Sequence, residues 1–414
     1  MKVLMTFCVF ACVCISLKSM AQVSLDGEIR PLSELRYGYS KLPVQGQNPA
    51  FFISQRTRLK VMYQKDKIRF KLTAQDARVW GDDNNLSFYE AWINYTLTKN
   101  WALKIGRQEL QYDNARLIGA RNRRQDGFNY DAIIAKYAKD SLYLDIGYNL
   151  NNSQANVFGN QFEDANQRFK NFTFAYLKKY YDNGFAIATM GINSGFQKEN
   201  TDTIFYKQTI GTNLTYAKGD LNFGAEGYYQ TGKHKDGRNV DAYLIAGKVG
   251  YKLNSKTKIT LGAEFTSGHE VTNANSDYQN TLHNFDILEG ARFIYWGNAN
   301  IFRNLEAHTD AAGLTNYFIK VNYQATKKWN IAATYHQFFL TESVFNNTTE
   351  INKNLGGELD IITKYKIRKG TSLVIGYSLI LPTTSLEYIQ NIPTNEGTNG
   401  HYFWIMLNTK LKLI

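Results

Sequence analysis

The sequence predicts a transmembrane antiparallel β-barrel of about 18 strands, and three observations lead there. Apolar and polar residues alternate over stretches of roughly ten, which is the period of a strand with two different faces. Short polar turns recur along the chain, each preceded by a tyrosine. Aromatic residues reach 14% at a mean hydropathy of −0.40, yet no apolar run after residue 20 approaches the roughly 20 residues a membrane helix needs. The same figures exclude other classes. With 28 Tyr, 25 Phe and only 5 Pro the chain is not a disordered one. Its three cysteines, Cys8, Cys12 and Cys14, all lie at the extreme N-terminus, so no disulfide framework holds the fold.

The first element is a leader. Met1-Lys2 is a short positive segment, residues 3–17 are apolar, and Ser19-Met20-Ala21 places small residues where a signal peptidase reads them. We therefore expect residues 1–21 to be a Sec signal peptide and 22–414 to form a single outer-membrane barrel. A lipoprotein reading requires small residues ahead of Cys14, and Ala11-Cys12-Val13 fits it poorly.

The first clear strands set the pattern. In 55–63, Leu59, Val61 and Tyr63 share one face while Arg56, Arg58 and Lys60 share the other. After the tight turn Lys65-Asp66-Lys67 the next strand repeats it, with Ile68, Phe70 and Leu72 set against Arg69, Lys71 and Thr73. Further short turns fall at 98–100, 139–140, 182–184, 218–220, 254–256, 326–328 and 368–370. They follow Tyr95, Tyr137, Tyr180, Tyr216, Tyr251, Tyr323 and Tyr365, as the first follows Tyr63. Tyrosines at this level place an apolar ring in lipid and a hydroxyl among headgroups, so they mark an interfacial girdle. The connections between are longer and polar, for instance 149–167, 232–239, 342–354 and 382–399. Eight periplasmic turns require nine external loops, hence 18 strands. The segment 267–312 is either one long loop or a hidden hairpin, which would make 20. A barrel this wide is expected to leave an aqueous channel. A soluble β-sandwich would give the same alternation, but would not need a tyrosine ahead of every second turn.

If the girdle tyrosines mark the lipid side, opposite parity gives the lumen. That set is lopsidedly basic, with Arg56, Arg58, Lys60, Arg69, Lys71, Lys104, Lys248 and Lys320 against Glu90, Glu226, Glu264, Glu358 and Asp360. Rings of Arg and Lys raise the local concentration of an anion and replace part of its hydration. Alternatively, charges of both signs pair across strands and only keep the lumen wet. The densest cluster runs from Gly106 to Ala132 and holds Arg107, Gln108, Asp113, Arg116, Arg121, Arg123, Arg124 and Gln125. Guanidinium forks suit carboxylates bidentately.

Here the sequence resembles the alginate export family of outer-membrane porins. The resemblance is carried by Arg107, Gln108, Tyr112, Asp113, Arg116, Leu117, Ile118, Gly119, Arg124, Gln125 and Asp131-Ala132. It is seconded by 89–95, by 357–361 and by the long-loop segment 284–292. The family often has an aromatic residue ahead of the Arg-Gln pair, where this chain has Arg123. Strict alternation points Arg107 outward, so a pore role for it requires a bulge near Gly106. The resemblance implies an 18-stranded barrel whose basic constriction, shaped by inward-folded loops, conducts a polyuronate.

The expected function is passive translocation, by export or uptake, of anionic polysaccharides such as alginate or of other anionic solutes. The pore-lining set is Arg56, Arg58, Lys60, Arg69, Lys71, Lys104, Arg107, Gln108, Asp113, Arg116, Arg121, Arg123, Arg124, Glu90, Glu358 and Asp360. The alternative is a surface-binding or structural barrel with a plugged lumen, whose long loops bind a partner. Expected partners are an anionic saccharide or small anion, outer-membrane lipid and a periplasmic secretion component. The six scattered histidines show no metal or catalytic spacing, so neither an enzyme nor a cofactor is expected. A pI of 9.3 does not make a nucleic-acid binder of a lipid-embedded wall.

Overall fold

The computed structural model describes residues 22–83, 85–152, 154–155, 157–159, 162, 169–199, 201–288 and 290–414. The expected leader, Glu289 of the long-loop segment and most of 160–168 lie outside the described residues. The described chain folds as 18 antiparallel strands: β1 (Gln22–Tyr37), β2 (Ala50–Lys65), β3 (Ile68–Val79), β4 (Leu86–Thr96), β5 (Trp101–Gln108) and β6 (Tyr130–Lys139). They continue as β7 (Leu142–Leu150), β8 (Asn171–Tyr180), β9 (Phe185–Gln197), β10 (Ile204–Lys218), β11 (Leu221–Lys233) and β12 (Asn239–Lys252). The last six are β13 (Thr257–Thr266), β14 (Leu314–Thr326), β15 (Trp329–Leu340), β16 (Asn354–Arg368), β17 (Thr371–Pro382) and β18 (Gly400–Lys412). Each pairs with its neighbours in sequence, and β1 pairs with β18 from Asp26↔Lys412 to Tyr37↔His401, so no edge is left open.

The eight short turns fall where the sequence places them. The doubtful interval is one loop, because β13 pairs directly with β14 and only Thr281–Leu282 makes a short parallel contact with β12. The strand count is therefore 18 rather than 20.

Burial is inverted relative to a soluble protein. On β2, Leu59 is 47% exposed while Arg58 beside it is 4% exposed. Lipid covers the first and the lumen encloses the second, as a two-faced barrel wall requires. The girdle is also built: Trp101 packs on Tyr137 with centroids 5.0 Å apart, and Tyr216 stacks on Phe223 at 5.2 Å. Tyr180 departs from it. It falls on the inward register with Phe174, Tyr176 and Lys178, while Tyr181 takes the outward position and packs against Phe185. A bulge on β4, where Thr73 pairs with Glu90 and Ala74 with Phe88, leaves Tyr89 as the extra residue. It lets Tyr89 and Glu90 both be buried on the lumen side.

The lumen is not simply an aqueous bore, contrary to the expectation from its width. Across β6–β13 its wall carries Ile134, Phe172, Phe174, Met190, Ile192 and Leu244. These pack against Leu117, Ile118, Phe285, Trp296 and Ile301 from loops 109–129 and 267–313. An apolar core thus forms inside the barrel, because two loops bring apolar residues to an apolar stretch of wall.

Candidate functional site in the barrel lumen

Loops 109–129 and 267–313 fold inward and brace the wall at β7–β8, β11–β13, β1–β2 and β16. Loop 109–129 leaves β5 beneath Tyr112, whose hydroxyl donates to Asp145 Oδ2 at 2.9 Å, and Asp113, which accepts from Tyr176 at 2.7 Å and Lys178 at 2.8 Å. It then reaches β11 and β13. There the Arg116 guanidinium donates to Glu226 at 2.6 and 2.9 Å and to Glu264 at 2.7 Å, and lies 3.4 Å from the centroid of the Tyr295 ring. Burial alone would lower the Arg116 pKa, but the two carboxylates outweigh it and hold the group well above its usual value.

The loop crosses next to β1 and β2. Arg30 donates to the carbonyls of Asn122 at 2.5 Å and Arg124 at 2.7 Å, and to Gln125 Oε1 at 2.9 Å. Loop 267–313 meets it in the middle: Arg121 donates to the carbonyls of Gly290 and Leu288, and Arg123 to Asn298 Oδ1. The tip of that loop docks on β16. The Ala299 amide donates to Glu358 at 2.7 Å and the Asn298 amide to Asp360 at 3.1 Å, while Trp296 Nε1 donates to Glu264 at 3.0 Å. Gly297 makes this approach possible: its φ is +82°, and a Cβ there would run into the Glu358 carboxylate.

Most lumen-facing cations of the sequence reading are brought together on β2–β5, where most have partners, while Lys248 and Lys320 lie apart from them on β12 and β14. Arg56 donates to Glu28, Lys60 pairs with Glu28 at 3.2 Å, and Lys71 pairs with Glu90. Arg58 donates to Gln75 at 2.6 Å and lies 3.5 Å from the Tyr89 ring centroid. Lys104 sits over Trp92, and Arg69 stands exposed near the periplasmic end. Gln108 is buried, bonding the Ala132 carbonyl. Arg124 pairs with Asp126 at 2.6 Å, both half exposed.

Two placements correct the sequence reading. Arg107 stays on the outward register despite the +117° φ of Gly106, and forms a bidentate pair with Asp131 at 2.7 and 3.0 Å. No bulge turns it into the pore, since β5 stays in register with β4 and β6. Arg116 is 2% exposed and committed to two carboxylates. It braces a loop and does not line a path.

Above the loops a cavity of about 500 Å³ opens toward the extracellular side. Its wall combines Arg121, Arg124, Lys207, Lys235, Arg292 and Arg303 with Asp126, Asp286 and Glu306. Lys207 is bound to Asp286 at 2.7 Å. Cations outnumber acids two to one, so the mouth is positive. Sequence reasoning missed Arg30, Lys207, Arg292 and Arg303. The parity of β1 and β10 carried a signal for Arg30 and Lys207, and the long-loop segment 284–292 carried one for Arg292, whereas Arg303 had none. Among the described residues no group of His, Cys, Asp and Glu is arranged to hold a metal ion.

The sequence profile of the alginate export family matches residues 49–383. The chain belongs to the alginate export family. The match takes in the braced loops and all but the first and last strands of the barrel. No curated protein matches the chain in sequence. In fold, the chain is similar to outer-membrane proteins of Pseudomonas aeruginosa. OccK9 (OpdG) aligns with a TM-score of 0.63 at 11% identity, over 95% of this chain and 99% of that one. OpdO gives 0.63 at 13% identity, over 95% and 98%. OpdK, in a structure with vanillate, gives 0.60 at 11% identity, over 94% and 99%. The chain is thus a barrel of the Gram-negative outer membrane and a passive channel.

Proposed function

We propose that this channel conducts anionic solutes, with uronate-rich polysaccharides as its principal class and carboxylates as the recognised group. The observation that carries the reading is the basic extracellular cavity, whose arginines and lysines converge above the braced loops. An electropositive mouth concentrates anions and excludes cations by the same field. A second basic set on β1–β3 lies beneath loop 109–129, so a solute passing the mouth meets Arg30, Arg56 and Arg58 only when that loop shifts. Family membership supports the polysaccharide class, and vanillate, the ligand of OpdK, fits the small-anion end of it.

Planar-bilayer recordings under a salt gradient test the reading. The expected reversal potential has the sign of anion preference. Arg124→Ala combined with Arg303→Ala should move it toward zero while the folded barrel keeps its mobility on gels. Cation preference, or no conductance, would overturn it.

A further inference from the structure

Tyr143 and Tyr180 stand on the water side of the wall, where the girdle rule does not place tyrosine. Tyr143 shares the inward register with Asp145 and pairs across the sheet with Lys178, two residues before Tyr180. The two rings meet edge to face with centroids 6.0 Å apart, yet the residues are 41% and 48% exposed. Anchoring in lipid does not explain them, because Tyr181 holds the outward position at that level.

They border a cavity of about 710 Å³ at the periplasmic end, roofed by Tyr112 and Asp113 of loop 109–129. Lys136 and Lys178 project into it. Lys178 is bound to Asp113 at 2.8 Å, Lys136 to Asp145, and Lys178 lies 5.0 Å from the Tyr180 ring centroid. Half-exposed aromatic rings beside ion pairs suit a pyranuronate. The C–H face of such a sugar packs on a ring, and its carboxylate and hydroxyls take hydrogen bonds from the cations.

We propose that Tyr143, Tyr180, Lys136 and Lys178 form a periplasm-facing subsite for an acidic oligosaccharide. It rests on the reading of the channel as a path for anionic saccharides, and adds where such a chain is held. A carboxylate arriving at Lys178 competes with Asp113, so occupancy weakens the attachment of loop 109–129 to β8.

The test adds an oligouronate to one side of a bilayer while the chloride current is recorded. Block should be stronger from the periplasmic side. Tyr143→Ala with Tyr180→Ala should raise the half-blocking concentration about tenfold, the loss of two ring contacts. The matching Phe double variant should stay within about twofold of the parent, since a phenyl face stacks as well. Chloride conductance and anion selectivity should be unchanged in both, which reports an intact barrel. Equal block in the Ala variant, or no block of a conducting parent, overturns the subsite and leaves the anion-channel reading standing. A parent without anion selectivity overturns that reading and the subsite together.

Discussion

Arg116 and Gly297 hold the two inward loops by opposite means, one by charge and one by having no side chain. Removing a buried partner from two carboxylates costs about 3–5 kcal/mol in comparable pairs. We expect Arg116→Ala to free loop 109–129 from β11 and β13 by that order, leaving Glu226 and Glu264 facing each other without a cation. The readouts are faster proteolysis between residues 109 and 129 and a larger, noisier conductance, with barrel mobility on gels unchanged. Gly297→Ala should undock the other loop through its positive φ and the Glu358 carboxylate, and the same two measurements would register it. The importance of Arg116 was legible in the sequence, from the density of arginine around it, but its role was not. A guanidinium that binds solute and one that binds a neighbouring strand have the same one-letter code, and Glu226 lies 110 positions away.

At the scale of elements, strands and loops differ in what made them readable. Each strand answers to lipid on one side and water on the other, so its period is written locally, and so are the turns and the count of 18. Loops 109–129 and 267–313 answer to each other and to distant wall positions, so their folding into the lumen came only from the family resemblance. Tyr180 shows the limit of parity reasoning. It is one of eight tyrosines the sequence assigns to the girdle, and at its level Tyr181 holds the outward position instead.

Loop 267–313 also carries a pH signature. Burial would raise the Asp286 carboxyl, but Lys207, Arg292 and the Leu288 amide outweigh it and hold the group below the ordinary carboxylate range. A lowered folded value means the contribution is present above the unfolded pKa and is lost as pH falls through the folded one. Proteolytic protection of this loop should therefore be flat from neutral pH down to about 4, near the ordinary Asp value, and fail only in stronger acid. Loss of protection between pH 7 and 5 would contradict it, and Asp286→Asn should lower the protection by a similar amount at neutral pH and at about pH 4.

For the whole molecule, closure rests on β1 meeting β18. Deleting β18 would leave the edges of β1 and β17 unpaired within lipid, where nothing else satisfies them. Such a chain should lose the heat-dependent mobility of a closed barrel altogether, unlike any of the loop variants. The placement of Arg123 adds a consequence about timing. This side chain of an early loop lies 5.5 Å from the ring centroid of Tyr402 and 5.3 Å from that of Trp404, both on the final strand. The tip of loop 267–313 likewise waits for Glu358 on β16. Both inward loops take part of their anchorage from the C-terminal strands, so an unfinished barrel is also a less firmly sealed one. The last step of assembly then also tightens the permeability barrier, and a chain stalled before that step should leak more than the finished one.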